Sequence, residues 1–189
     1  MTIGVGVEGP SDRAFWGGVL HRTLRGARFD IRNMQNKTRL IRQSPQLLEA
    51  FRSAHYAATF IIVDCDDARC IPEVLSEFTP DLIREARRPR WARDLFICVA
   101  VKELEAWYLA DEEGVNLILP RGEYRAVSDT SEINAEKVLS GLWRKHYATS
   151  LNKIEFAKEM SKFFNPDRAQ RHSRSFQYLW QNLSEVAGR

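Results

Sequence analysis

The sequence predicts an α/β protein: a parallel sheet flanked by helices, with a helical C-terminal extension. Three observations predict it. Short apolar runs recur at Thr2–Val7, Thr59–Val63 and Leu95–Val101, segments of helical spacing separate them, and the last third reads as one helix after another. Strands alternating with helices imply crossover connections and a parallel sheet. At 189 residues the chain has the length of a single compact unit, read as an α/β core over residues 1–112 and a helical region over 113–189 packed on it.

The elements follow in order. Thr2–Val7 alternates β-branched and small residues and reads as a strand, and Pro10 and Ser11 mark a turn with Ser11 as the cap of a helix through Thr23. Phe15, Val19 and Leu20 give that helix an apolar face, extended by Leu24. Arg28–Ile31 reads as a short strand, and Ser44-Pro45 starts a helix that turns Leu47, Leu48 and Phe51 inward. Thr59–Val63 is an unbroken apolar run of the kind buried on both faces of a sheet, and it ends in DCDD. Cys70–Ala86 reads as one helix across Pro80, with Val74, Leu75, Phe78, Leu82 and Ile83 inward. Leu95–Val101 is the next apolar strand and leads directly into KELEAWYLAD. Residues 111–132 show no regular pattern, and helices follow at Asn134–His146, Lys153–Phe164 and Ser173–Val186.

Composition excludes several classes. Ten Gly and seven Pro are ordinary proportions, so the chain is neither collagen-like nor of low complexity. No apolar run approaches the ~18 residues of a membrane span, and the start MTIGVGVEGPSD lacks the regions of a signal peptide, which points to a soluble cytoplasmic protein. Three cysteines without CxxC spacing fit a reducing compartment. A net charge of +3 names no partner by itself. Its distribution is more informative: Arg84, Arg87, Arg88, Arg90 and Arg93 surround Trp91, which suits phosphate contact and base stacking as well as it suits a solvated helix end.

Sites in open α/β sheets lie beyond the C-terminal ends of the strands. Three strands here end in acid: Glu8 with Asp12 in VEGPSD, then Asp64, Asp66 and Asp67, then Glu103 and Glu105. Two carboxylates about 4 Å apart repel by about 4 kcal/mol at an effective dielectric of ~20. A Mg²⁺ or Mn²⁺ ion relieves that repulsion, and such ions take hard oxygen ligands and can orient water at a phosphoryl group. Gly4, Gly6 and Gly9 also spell G-x-G-x-x-G, with Asp30 about 20 residues on, but the pattern starts inside the first strand and places Glu8 where pyrophosphate would bind. Ala68 stands where an aspartyl-phosphate phosphatase needs Thr or Val, and no P-loop occurs. His21, His55, His146 and His172 are scattered.

VGVEGPSD followed by FIIVDCDD resembles the Toprim domain, and the Glu8-x-x-x-Asp12 spacing resembles the OLD-type nucleases. ELEAWYLAD, the helix start at Asn152–Lys158 and SRSF at Ser173–Phe176 resemble a Toprim-like bacterial family of formerly unknown function, often encoded beside an ABC- or AAA-type ATPase in phage-defence neighbourhoods. The resemblance implies an Mg²⁺- or Mn²⁺-dependent nuclease acting on DNA or RNA. By that resemblance Glu8 is a metal ligand or general acid/base, Asp64 and Asp66 hold metal, Asp12 joins a second metal, and Glu105 completes the cluster. Lys153 stabilises charge on the phosphate, and Arg174 and Ser175 grip a neighbouring phosphate, with Arg87, Arg88 and Arg90 as further nucleic-acid contacts. Asp66→Ala is expected to abolish cleavage and leave the fold intact or more stable. Partners implied are nucleic acid and the ATPase, with no membrane and with room for a homo-oligomer. The alternative is a non-catalytic Toprim-like module that binds nucleic acid or the ATPase.

Overall fold

β1 (Thr2–Val7) is buried along all but its first residue, as the apolar run requires. Ile3, Val5 and Val7 face one side of the sheet, and Gly4 and Gly6 face the other. A computed structural model describes residues 1–188; Arg189, the last residue of the expected helical region, lies outside them. It places β1 between β2 (Arg28–Asn33) and β3 (Ala58–Asp64), with β4 (Leu95–Ala100) at the far edge, in the order β2-β1-β3-β4. Every pairing is parallel, and the register sets Val7 beside Asn33, Gly6 beside Ile61 and Asp64 beside Ala100. All four strands therefore end at one edge.

α1 (Pro10–Thr23) and α2 (Lys37–Ser53) cover opposite faces. Gly4 and Gly6 are explained by α2: a Cβ at Gly4 would overlap the Phe51 ring, and one at Gly6 would lie 2.7 Å from a Leu47 methyl. The glycines let a helix approach the strand, which removes the dinucleotide reading of G-x-G-x-x-G. α2 begins seven residues before Ser44, because Asn36 caps it by accepting the Arg39 amide at 2.8 Å. Pro45 lies inside the helix, and burial of Leu40, Ile41, Leu47, Leu48 and Phe51 outweighs the lost backbone bond, a cost of about 3 kcal/mol.

The segment Cys70–Ala86 is two helices, α3 (Ile71–Ser76) and α4 (Pro80–Ala86), rather than one. Pro80 opens α4 behind the Thr79 cap, where its missing N–H costs nothing. Val74, Phe78 and Leu82 are buried there, and Leu75 and Ile83 are half-buried against the same cluster.

β4 leads into α5 (Leu104–Leu109) and α6 (Glu112–Ile118), the latter a helix within a segment that sequence patterning left irregular. α7 (Ala135–Tyr147), α8 (Lys153–Phe163), α9 (Pro166–Ala169) and α10 (Arg174–Ala187) complete the chain. These helices share one apolar cluster with the sheet: Phe15, Trp16, Trp107, Tyr108, Phe156, Phe164 and Phe176 interlock beneath β1, β3 and β4. Gly18 allows α8 to lie against α1, since a Cβ there would overlap Ser161. Among the described residues no helix is long and apolar enough to cross a membrane. Cys65, Cys70 and Cys98 are unpaired thiols.

Candidate active site

The C-terminal edge of the sheet gathers the acids. Glu8 follows β1 directly, and its Oε1 accepts the Asp64 backbone amide at 2.7 Å, which ties the ends of β1 and β3 together. Gly9 caps α1, and Asp12 in the first turn reaches back to accept the Gly9 amide at 3.0 Å, so Asp12 rather than Ser11 fixes the start of the helix. Glu103 caps α5, and Glu105 lies in its first turn. Asp12 and Glu105 are 6% and 7% exposed, an unusual depth for charged groups.

Burial and mutual repulsion hold protons on this cluster. Burial, then Asp66 and Asp12, push Glu8 up to about 7, against the lowering effect of the Asp64 amide. Burial and Glu105 push Asp12 to about 6. Asp64 is raised well above the usual carboxylate range by burial and by Asp12, Glu8 and Glu105. The buried Tyr108 hydroxyl has no hydrogen-bond partner and faces the charges of Glu105, Asp12 and Asp64.

Two cations flank the acids. The Lys153 ammonium, at the start of α8, lies 3.1 Å from Glu105, 3.4 Å from Glu136 and 3.9 Å from Glu103. Lys37, at the start of α2, lies 3.2 Å from Asp66 and also reaches the Cys65 carbonyl. The backbone is held in the left-handed region at Asp66 (φ 49°) and Lys102 (φ 72°), where the Asp66 amide donates to the Lys102 carbonyl at 2.6 Å. Such positions cost of order 1–3 kcal/mol and cluster at sites where loops are aimed for function.

Among the described residues no three His, Cys, Asp or Glu side chains stand grouped as a ready ligand set for one ion. The donors nevertheless fit a hard divalent cation by their chemistry. They are carboxylate oxygens, three of them hold protons through burial and repulsion, and an unpartnered buried hydroxyl faces them. A divalent cation would offset the repulsion among these carboxylates.

The residues expected from sequence do not all meet here. Glu8, Asp12, Asp64, Asp66, Glu105 and Lys153 are brought to one edge. Arg87, Arg88 and Arg90 precede β4 and so lie at the opposite edge, about 20 Å away along a six-residue strand. There Arg52 bridges Glu85 and Asp94, Arg88 pairs with Glu85, and Arg90 pairs with Glu185, so those arginines are partly spent on holding the sheet's N-terminal edge. Ser175 does not point to open solvent: its Oγ accepts the Trp107 indole N–H at 2.9 Å. ELEAW and SRSF are thus one structural unit, with the rings of Trp107 and Phe176 5.6 Å apart. Ser173 is the cap of α10, and Arg174 is exposed beside it. Lys37, Tyr108 and Glu136 were missed by sequence reasoning. Lys37 was findable as the first residue after a strand-end turn, had α2 been started at Asn36.

A parallel α/β domain in which β1, β3 and β4 all deliver carboxylates to one edge belongs to the Toprim-like class of folds. The chain is a member of the family described as Domain of unknown function (DUF4276), which it matches over residues 7–184. Its fold is similar to that of the C-terminal region of the Burkholderia pseudomallei OLD protein, with a TM-score of 0.50, 14% identity and 98% of each chain covered. No curated protein matches the sequence.

Proposed function

We propose that the protein is a metal-dependent phosphodiesterase that cuts nucleic acid, a Toprim/OLD-type nuclease. One observation carries the reading: Glu8, Asp12, Asp64 and Glu105 converge at one edge of the sheet, where burial first and repulsion between neighbouring carboxylates second raise Glu8 to about 7, Asp12 to about 6 and Asp64 well above the usual carboxylate range. Glu8, Asp12, Asp64, Asp66 and Glu105 are the residues that would hold Mg²⁺ or Mn²⁺. When bound, such an ion supplies polarisation of a phosphoryl oxygen and a nucleophilic water at neutral pH. Glu8, with its proton affinity centred about 7, is placed to exchange a proton through Oε2, since Oε1 is bound to the Asp64 amide. Lys153 offsets negative charge developing on the phosphate from the α8 side. The pairing with an ABC- or AAA-type ATPase and the role in phage defence follow from the family resemblance and belong to this proposal.

A second reading, a non-catalytic module that binds nucleic acid or the ATPase, is favoured by the absence of a ready ligand set among the described residues. Supercoiled plasmid and total RNA incubated with the chain and Mg²⁺ or Mn²⁺ separate the two. Hydrolysis lost by at least about 100-fold in Glu8→Gln, a variant that can still accept the Asp64 amide, supports the first. Equal products from wild type and variant, or none from either, support the second.

A further inference from the structure

The site is electrostatically lopsided. On the α5 and α7 side it opens into a cleft of 380 Å³ lined by Asp66, Asp67, Glu103, Glu132 and Glu136, with Lys102 as its cation. A polyanion is repelled from that side. On the β2 and α2 side the chain carries Arg32, Lys37, Arg39, Arg42 and Arg69, with Arg13 beside them in the first turn of α1. Arg13 opens α1 and is close enough to Asp30 to lower its proton affinity together with Arg32. Arg32 is the penultimate residue of the edge strand β2 and lies over the Phe51 ring at 5.8 Å. Arg39 and Arg42 lie three apart, on one face of α2's first two turns, away from buried Leu40 and Ile41. Lys37, the first residue of α2, touches Asp66, and Arg69 follows in the β3–α3 loop. Of these six, Arg13, Arg32, Arg42 and Arg69 are exposed, and the carboxylate paired directly with one of the arginines is Asp30.

We infer that this belt, running from Arg13 over β2 and along the start of α2 to Arg69, is the track for the sugar–phosphate backbone of a nucleic acid, delivering it to the carboxylates from the α2 side. The inference takes its substrate class from the hydrolytic reading above. It locates the nucleic-acid interface at the edge opposite Arg87, Arg88 and Arg90. The contacts are to phosphate, so binding is insensitive to sequence and falls steeply with salt.

The test is fluorescence anisotropy of the whole chain with a labelled 20-mer DNA duplex and an RNA of the same sequence, in EDTA and in Ca²⁺, across a salt series. Arg39→Glu/Arg42→Glu is compared with Arg84→Glu/Arg87→Glu on α4, with thermal melts to confirm that both variants fold. The belt variant loses affinity at least tenfold at low salt, with a salt slope shallower by about 2, and the α4 variant binds like wild type. Equal losses in both variants, unchanged binding by the belt variant, or no binding by wild type overturns the inference. If the belt variant fails to fold, Arg13→Ala and Arg42→Ala singly must each lower the slope by about 1. Belt-dependent binding by a wild type that never cleaves contradicts the hydrolytic reading and leaves the belt standing.

Discussion

Asp64 is raised first by burial and then by repulsion from Asp12, Glu8, Glu105 and Asp66, so the cluster's charges converge on it. Removing its charge in Asp64→Asn therefore raises the melting temperature of the metal-free chain at pH 8. Asp66→Ala does not. Asp66 is exposed, pairs with Lys37 and sits at φ 49°, where alanine costs about 1 kcal/mol, so the expectation that its loss leaves the fold more stable is withdrawn on geometry. Differential scanning of the two variants in EDTA distinguishes them by sign. The wild-type pH dependence follows from the same groups. Glu8 rises from 4.5 to about 7 and Asp12 from 3.8 to about 6 on folding. The folded chain thus binds more protons over that interval, and the stability these groups contribute, complete at about pH 4, is lost as pH climbs through about 6 and 7. Asp30 and Asp94, lowered chiefly by Arg32 and Arg52, act oppositely and only in the acid range. The melting temperature of the metal-free chain accordingly falls by roughly 5 °C or more between pH 5 and 8, and millimolar Mg²⁺ flattens the decline. A flat profile in EDTA contradicts the charge repulsion described.

Helices carry the site's second layer through close contacts. α8 reaches α1 only because position 18 lacks a side chain, and α8 carries Lys153. Gly18→Ala therefore destabilises the chain by about 1–3 kcal/mol through overpacking. Gly17→Ala next to it meets nothing within 4 Å and stabilises by about 0.5–1 kcal/mol. Urea midpoints of the two variants that shift the same way would contradict this account of the α1–α8 contact. Ser175→Ala leaves the buried Trp107 indole N–H without its acceptor, costs about 1–3 kcal/mol and loosens α5 and Glu105 with it. At this scale much of the fold was legible. The fully buried strands are legible as apolar runs, and the helical spacing that begins at Asn134 and Ser173 locates α7 and α10, which those two residues cap. Proline misleads at both boundaries: Pro45 reads as a helix start and Pro80 as a tolerated interior residue, whereas the side-chain cap, Asn36 or Thr79, decides where each helix begins. α6 was hidden because its cap Asp111 is consumed by long-range partners, Arg168 and the Asn165 amide, that local pattern does not reveal.

Across the whole molecule, the sheet's parallel register makes a set of acids scattered over almost a hundred residues into one edge, and the same register sends Arg87, Arg88 and Arg90 to the other. That is why the position of the carboxylates was legible in the sequence and that of the arginines was not: a residue just after a strand is placed by the topology rule, whereas an arginine cluster in a loop is placed only once the strand it precedes is known. Lys37 and Tyr108 were invisible for related reasons, the first through a misplaced helix start and the second because an apolar helix face reads as core. The central claim is that this edge is a divalent-cation site serving phosphodiester hydrolysis. Calorimetric titration of Mn²⁺ into the wild type and into Asp64→Ala/Asp66→Ala tests it most directly. The account predicts saturable uptake by the wild type that the double variant lacks. No saturable uptake by the wild type, with nucleic acid present or absent, would contradict it.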